Sequence, residues 1–336
     1  MSRRAEKFRL KHAESEEVEE VPKPKPRRKP AKTIGEDGFL CLIPPSTEFT
    51  LPSNDLLNLF KNSFKYLFES EDMEQFIQVV KGDLYNRDYQ KAFSDDDRRM
   101  AYCVRWTPSR ALAYSSLFSS LDEVREVLTQ SDSHVLSVGG GAGGELVALS
   151  SLFAASKDFL DQEAEKFQLQ VDLVDIADWS NIVKKLTDQV QSNWLYSDPE
   201  SMKVNFIQDD VLQLDEAYSK NIPTLDLITL LFTTNELFAA DRAKSIRFFQ
   251  SLSKCKKGAY LLISESAGSF SHITVGTKKF PIQFLIDTVL LGKDTKSGDW
   301  ELVNQSESCW YRCAPDLEYP LKLENMRFFF RLYRRK

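Results

Sequence analysis

The sequence predicts an α/β fold: a mostly parallel sheet with helices on both faces, preceded by a helical section. Three observations carry this expectation. Five short apolar runs, HVLSVGG (134–140), VDLVDIAD (171–178), KVNFIQDDV (203–211), LDLITLLF (225–232) and GAYLLISES (258–266), alternate with stretches of helical period, the pattern of parallel strands buried on both faces. The first run empties into SVGGGAGGE (137–145), which holds five of only 13 glycines in 336 residues. The last two strand-like runs, ELVNQSESCWYRC and MRFFFRLYRR, have no long helix between them, so they predict an antiparallel hairpin at the sheet edge.

The elements follow in order. Residues 1–36 are polar and rich in Pro and Lys, without apolar periodicity, and are expected to be disordered. Residues 37–130 read as a helical section. In SNDLLNLFKNSFKYLFES, Leu56, Leu57, Phe60, Phe64, Leu67 and Phe68 repeat at helical spacing behind a Ser53/Asn54 cap. A second helix fits DMEQFIQVVKGDLYN. A third opens at TPSRALAYSSLF, with Thr107 as N-cap and Pro108 at the first helical position. A fourth begins at the capping box SLDE, Ser120 with Glu123. Residues 131–336 carry the sheet, with helices in GGELVALSSLFAASKDFL, SNIVKKLTDQVQSNW and ELFAADRAKSIRFFQSLSKC.

Composition bounds the function. Every apolar run falls short of the roughly 20 residues a membrane span needs, so no transmembrane helix is expected, and the charged N-terminus does not read as a secretory signal. Five cysteines suit a reducing compartment rather than a disulfide framework. Cys309 and Cys313 are spaced C-x3-C without a second pair, which argues for core packing and against a metal site. The net charge of −6 divides unevenly: residues 1–34 carry 11 Lys/Arg against 6 Glu, leaving −11 on the rest. PKPKPRRKPAK (22–32) has the composition of a nuclear import signal or a nucleic-acid-binding tail. An acidic body can grip RNA only through local patches.

A strand, a glycine turn and a helix N-terminus form a site for an anionic or polar ligand. Gly139, Gly141 and Gly144 satisfy G-x-G-x-x-G, the dinucleotide pattern. Gly139, Gly141 and Gly143 satisfy G-x-G-x-G, a nucleoside-cofactor pattern of methyltransferases. Residues downstream discriminate between them. The acidic residue that would hold ribose hydroxyls, Asp175, lies 36 positions on rather than about 20. In IQDDV, Asp210 can accept from an adenine amine while the Val211 N–H donates to a ring nitrogen. Glu145 would repel a pyrophosphate but suits the cationic methionine end of S-adenosylmethionine. The balance favours S-adenosylmethionine over NAD.

VLSVGGGAGGELVAL, followed by LVDIADW, FIQDDVL and LITLLFTTNELF, resembles the class I methyltransferases. GDLYNRDYQKAF (82–93) and YCVRWTPSRALAYSSLF (102–118) are similar to the fungal family that methylates N3 of a uridine in 25S ribosomal RNA. The resemblance spans roughly residues 60–336. It implies S-adenosylmethionine, a seven-stranded sheet, a pre-60S ribosomal RNA substrate and a nuclear or nucleolar location, with the cytoplasm as a further one.

Uridine N3 is a weakly acidic imide nitrogen that must lose its proton before it attacks. Glu236 is the candidate base and Asn235 the candidate group for orienting the neighbouring carbonyls; the same TTNEL also reads as a helix N-terminus. Arg105, Trp106 and Arg110 are candidate RNA contacts, since guanidinium grips phosphate and indole stacks bases. RFFFRLYRRK reads as an edge strand guarded by charge, and Lys278 and Lys279, in the loop after strand five, are weaker substrate-side candidates. A monomer is expected. The alternatives are a methyltransferase of another RNA or protein, a ribosome-assembly factor that only binds, and an NAD oxidoreductase.

Overall fold

The computed structural model describes residues 33–35, 38–129, 131–157, 167–213, 221–268, 272–275 and 278–336. The expected disordered tail lies almost wholly outside the described residues.

Seven strands form one sheet: β1 (Ser133–Val138), β2 (Leu169–Asp175), β3 (Met202–Gln208), β4 (Leu227–Leu231), β5 (Tyr260–Ser266), β8 (Trp300–Tyr311) and β9 (Met326–Arg335), ordered β3-β2-β1-β4-β5-β9-β8. The first five are parallel, and β9 runs antiparallel between β5 and β8. A ribbon, β6 (His272–Val275) with β7 (Lys278–Pro281), stands apart.

Period-two alternation sorts the strand residues between two cores. Val135, Val171, Leu173, Leu227, Leu262, Phe328 and Phe330 face one side. There they meet the helical section, α1 (Ser53–Ser63), α2 (Lys65–Phe68), α3 (Met73–Tyr85), α4 (Tyr89–Ala92), α5 (Asp96–Ser120) and α6 (Asp122–Thr129), with α7 (Gly144–Ala155) and α8 (Ser180–Asn193). Leu136, Val138, Val174, Ile228, Leu230, Leu261, Ile263 and Phe329 face the other side, toward α9 (Thr234–Ala240), α10 (Arg242–Ser251) and α11 (Ile282–Leu291). The helical section therefore shares a core with the sheet. The crossover between β1 and β4, where strand order reverses, opens a crevice at the carboxyl ends of the strands.

Several expectations need correction. The long first helix breaks at Phe64 into α1 and α2, and Pro52, rather than Ser53 or Asn54, precedes α1 as its cap residue. Pro108 does not open a helix: α5 starts at Asp96, with the Asp95 carboxylate accepting from the Arg98 N–H at 3.0 Å, and runs through Thr107 and Pro108. Proline removes the N–H that would satisfy the carbonyl four residues back. That carbonyl, on Val104, instead accepts from the Tyr319 hydroxyl at 2.6 Å. Ser120 ends α5 rather than capping α6. The basic C-terminal strand β9 is interior, and the edge is β8; Arg331 is buried beside Glu307 and Asp287 rather than guarding an edge. Residues 41–43 run beside that edge: the Trp310 N–H donates to Cys41 O at 3.0 Å and the Ile43 N–H to Trp310 O at 2.9 Å. Cys309 is buried in β8, whereas Cys313 lies past the strand end. Lys278 and Lys279 begin β7 rather than lying in a loop.

Candidate active site

The turn after β1 is set by its own packing. Gly139 has φ +75°, and a Cβ there would run into the Thr233 hydroxyl; a Cβ on Gly141 would enter the Trp179 ring. Both positions must be glycine whatever ligand approaches. The Gly141 N–H donates to Asp175 Oδ2 at 3.2 Å, and the Ala177 N–H donates to Oδ1 at 3.1 Å. Asp175 is thereby anchored at the carboxyl end of β2, and burial raises its pKa. Asp210, beyond β3, accepts from the Leu212 N–H at 2.9 Å. The neighbouring Val211 is buried and begins the turn beside it.

Gly143 (φ +84°) precedes α7, and Glu145 stands in its first turn. Glu145 is 2 % exposed. Its carboxylate accepts from Ser137 Oγ at 2.8 Å and from Thr229 Oγ1, so it is held inside the sheet rather than presented along the turn. Burial lifts its pKa to about 7, against the pull of those two hydroxyls.

Strand β4 leaves the sheet through Phe232, a non-glycine residue at φ +64°. Such a conformation costs roughly 1–3 kcal/mol and is tolerated where the surroundings impose it. The Phe232 N–H donates to Ser264 O at 2.8 Å, and its ring lies 6.4 Å from Phe328 and 5.3 Å from the Arg110 guanidinium. Thr233 then donates to Val138 O at 3.1 Å, tying β4 to β1.

Asn235 and Glu236 open α9. Glu265, at the end of β5, clamps Asn235 through its backbone N–H (2.9 Å) and side-chain amide (2.8 Å). The helix-start reading of TTNEL thus holds, but Glu265 caps it and the threonines do not. Burial lifts Glu265 to about 7. Glu236 rises further, to about 8, through burial and the nearby Glu265 charge, opposed by Arg110. Its carboxylate makes no hydrogen bond or ion pair among the described residues.

Helix α5 roofs the crevice. Tyr102 stacks on Trp106 at 5.4 Å, and Arg110 lies 5.7 Å from the Tyr102 ring, held between it and Phe232. Arg110 makes no ion pair among the described residues, and it lines a cleft of about 240 Å³ with Trp106, Phe232, Ser266, Asn325 and Arg327. Arg105 turns elsewhere, donating to Lys322 O at 2.9 Å and to Glu324 at 2.7 Å. The structure thus gathers Gly139–Gly143, Asp175, Asn235, Glu236, Trp106 and Arg110 at one edge, with Asp210 and Val211 at its β3 end. It commits Arg105 and Glu145 to internal partners. Sequence reasoning missed Glu265, Phe232, Tyr102 and Tyr89, whose pKa is raised by burial and by Glu236. Glu265 had a legible signal: a charge at the carboxyl end of an apolar strand, on the same edge as Asp175.

A second cleft, of about 440 Å³, opens at the opposite ends of the strands. His134 there is engaged on both ring nitrogens, with Thr224 and Asp172, each at 2.8 Å. Among the described residues no group of His, Cys, Asp or Glu suits a metal ion.

Residues 60–334 match a family model described as "Putative SAM-dependent methyltransferase". The 25S rRNA (uridine(2843)-N(3))-methyltransferase of Saccharomyces cerevisiae is 49 % identical over 320 residues, covering 87 % of this chain and 88 % of its own. Among solved structures, a SAM dependent methyltransferase from Aquifex aeolicus is 16 % identical with a TM-score of 0.32, covering 63 % of this chain and 88 % of its own. The 16S rRNA (adenine(1408)-N(1))-methyltransferase from Catenulisporales acidiphilia is 11 % identical with a TM-score of 0.36, covering 64 % and 90 %.

The crevice fits a cationic nucleoside cofactor. Burial raises Asp175, Glu236 and Glu265 toward their neutral forms, and a sulfonium or ammonium bound beside them would favour the charged carboxylates. With the family match extending over residues 60–334 and a relative identical at nearly half its positions, the chain belongs to the S-adenosylmethionine-dependent methyltransferases.

Proposed function

We propose that this methyltransferase modifies N3 of a uridine in the RNA of the large ribosomal subunit. The observation that carries the chemistry is Glu236: a desolvated carboxylate, raised to about 8, without a hydrogen-bond partner among the described residues and within electrostatic reach of Asp175, which the Gly141 N–H holds. The yeast relative's substrate supplies the choice of RNA and atom.

When bound, the cofactor would supply an electrophilic methyl group, its S–C bond breaking as the bond to N3 forms and leaving the thioether S-adenosylhomocysteine. Gly139, Gly141 and Gly143 would give the cofactor a backbone cradle, Asp175 would hold the ribose, and Asp210 with the Val211 N–H would hold the adenine. Glu145 acts from behind, holding Ser137 under the turn. Glu236 takes the N3 proton, and its raised pKa brings it closer to that of an imide, which favours transfer. Asn235, fixed by Glu265, orients the carbonyls flanking N3. Trp106 and Phe232 enclose the ring in the cleft, and Arg110 balances the charge that spreads over the pyrimidine as the proton leaves. Arg105 contributes by holding α5 to the segment before β9. The target base must be unpaired or turned out of its helix to enter. Under this reading the chain acts as a monomer on pre-60S particles in the nucleus and nucleolus.

The test is reverse transcription of 25S RNA from cells lacking the chain. A methyl on N3 blocks base pairing, so extension stops there. The stop should vanish on deletion, return with the unaltered chain and stay absent with Glu236→Gln. A stop that persists after deletion overturns the proposal.

A further inference from the structure

We infer that the exposed face of the β8–β9 hairpin around Trp310 holds the single-stranded RNA that leads to the cleft; this rests on the RNA reading above. Trp310 and Arg327 are directly paired across the two strands. Arg312 lies just past the end of β8. The Arg312 guanidinium lies 4.6 Å from the Trp310 ring centre and that of Arg327 lies 5.8 Å from it. Arg327 also donates to Ser308 Oγ at 2.8 Å, which fixes its direction.

Both arginines are exposed, and neither pairs with a carboxylate among the described residues. That sets them apart from Arg331 and Arg334 of β9, which engage Glu307 and Glu301. On a body carrying −11 outside residues 1–34, two uncompensated guanidinium groups beside a half-exposed indole form a local site for phosphate and base together. Arg327 joins this face to the cleft, because it lines the same cavity as Arg110, Trp106 and Phe232. A strand whose uridine occupies the cleft would continue over Arg327 onto Trp310 and Arg312. Stacking on an aromatic or guanidinium plane tolerates any base, so this surface supplies affinity and leaves selection to the cleft.

The experiment uses the full chain and a fluorescent single-stranded oligouridylate of about 12 nucleotides. Trp310→Ala is expected to weaken binding about tenfold. Arg312→Gln with Arg327→Gln should weaken it similarly and lower the salt slope by about 1.4, two phosphates at about 0.7 each. Arg334→Gln removes one positive charge elsewhere on the hairpin and should change nothing. Affinity for S-adenosylhomocysteine, unchanged throughout, verifies the fold. Variants that bind like the unaltered chain while it still methylates 25S RNA overturn the surface and leave the function standing. RNA binding that depends on this face, without methylation of any uridine, supports the surface and overturns the function. Unchanged RNA binding with loss of pre-60S association assigns the face to a protein and overturns the inference.

Discussion

Glu236 and Glu265 lie in one crevice, yet their surroundings give them different work. Glu265 spends both oxygens on Asn235, whereas the Glu236 carboxylate makes no hydrogen bond among the described residues. Glu236 titrates near 8, so the base form grows as pH rises, and methyl transfer should climb from pH 6.5 to 9 with an inflection near 8. Glu236→Gln should cut kcat at least 100-fold and flatten that profile, while S-adenosylhomocysteine binds as before; a profile unchanged in the variant excludes Glu236 as the base. Glu265→Gln removes the like charge that helps raise Glu236, so its inflection should move to lower pH along with a lower kcat. A merely structural Glu265 would lower kcat without moving the inflection. Of these two carboxylates, TTNEL exposed only Glu236 to sequence reasoning. Glu265 sits 29 residues further along, and only the parallel pairing of β4 with β5 brings it to Asn235.

At the scale of elements, α5 is where the sequence misled. Thr-Pro reads as a helix start because proline has no N–H to give and fits the first turn. It sits mid-helix here because Tyr319, 215 positions beyond Val104, donates to the Val104 carbonyl that proline leaves open. No local pattern announces such a long-range partner, whereas the strand boundaries, set by local alternation, were legible to within a few residues. Tyr319→Phe should therefore destabilise the protein by about 1–3 kcal/mol, the cost of an unsatisfied buried acceptor. Pro108→Ala restores a donor at position 108, so in that background Tyr319→Phe should cost markedly less. Equal costs in both backgrounds, measured by urea unfolding, would show that packing of the Tyr319 ring, rather than its hydroxyl, holds α5.

For the whole molecule, the glycine turn and its neighbours were legible because a backbone turn, a carboxylate after each strand and a helix start are all local patterns. Burial was not, and burial decides the electrostatics. Glu145, Glu265 and Glu236 are raised from an ordinary 4.5 to about 7, 7 and 8. Between those limits the folded chain holds more protons than the unfolded one. The slope of unfolding free energy with pH is then negative: the stabilisation present at low pH is lost as pH rises through the folded values. Asp172, lowered by His134 and Asn205, acts oppositely but only below about pH 4. Tm without ligand should fall by several degrees from pH 6 to pH 8.5. Glu145→Gln keeps an acceptor for Ser137 and Thr229 while abolishing one titration, so its fall should be shallower. S-adenosylmethionine, a sulfonium cation, should recover more of the loss at pH 8.5 than neutral-sulfur S-adenosylhomocysteine at equal saturation. Equal recovery by the two would place the buried carboxylates out of electrostatic reach of the reacting sulfur, and would remove the charge argument for how this crevice favours its cofactor over the product.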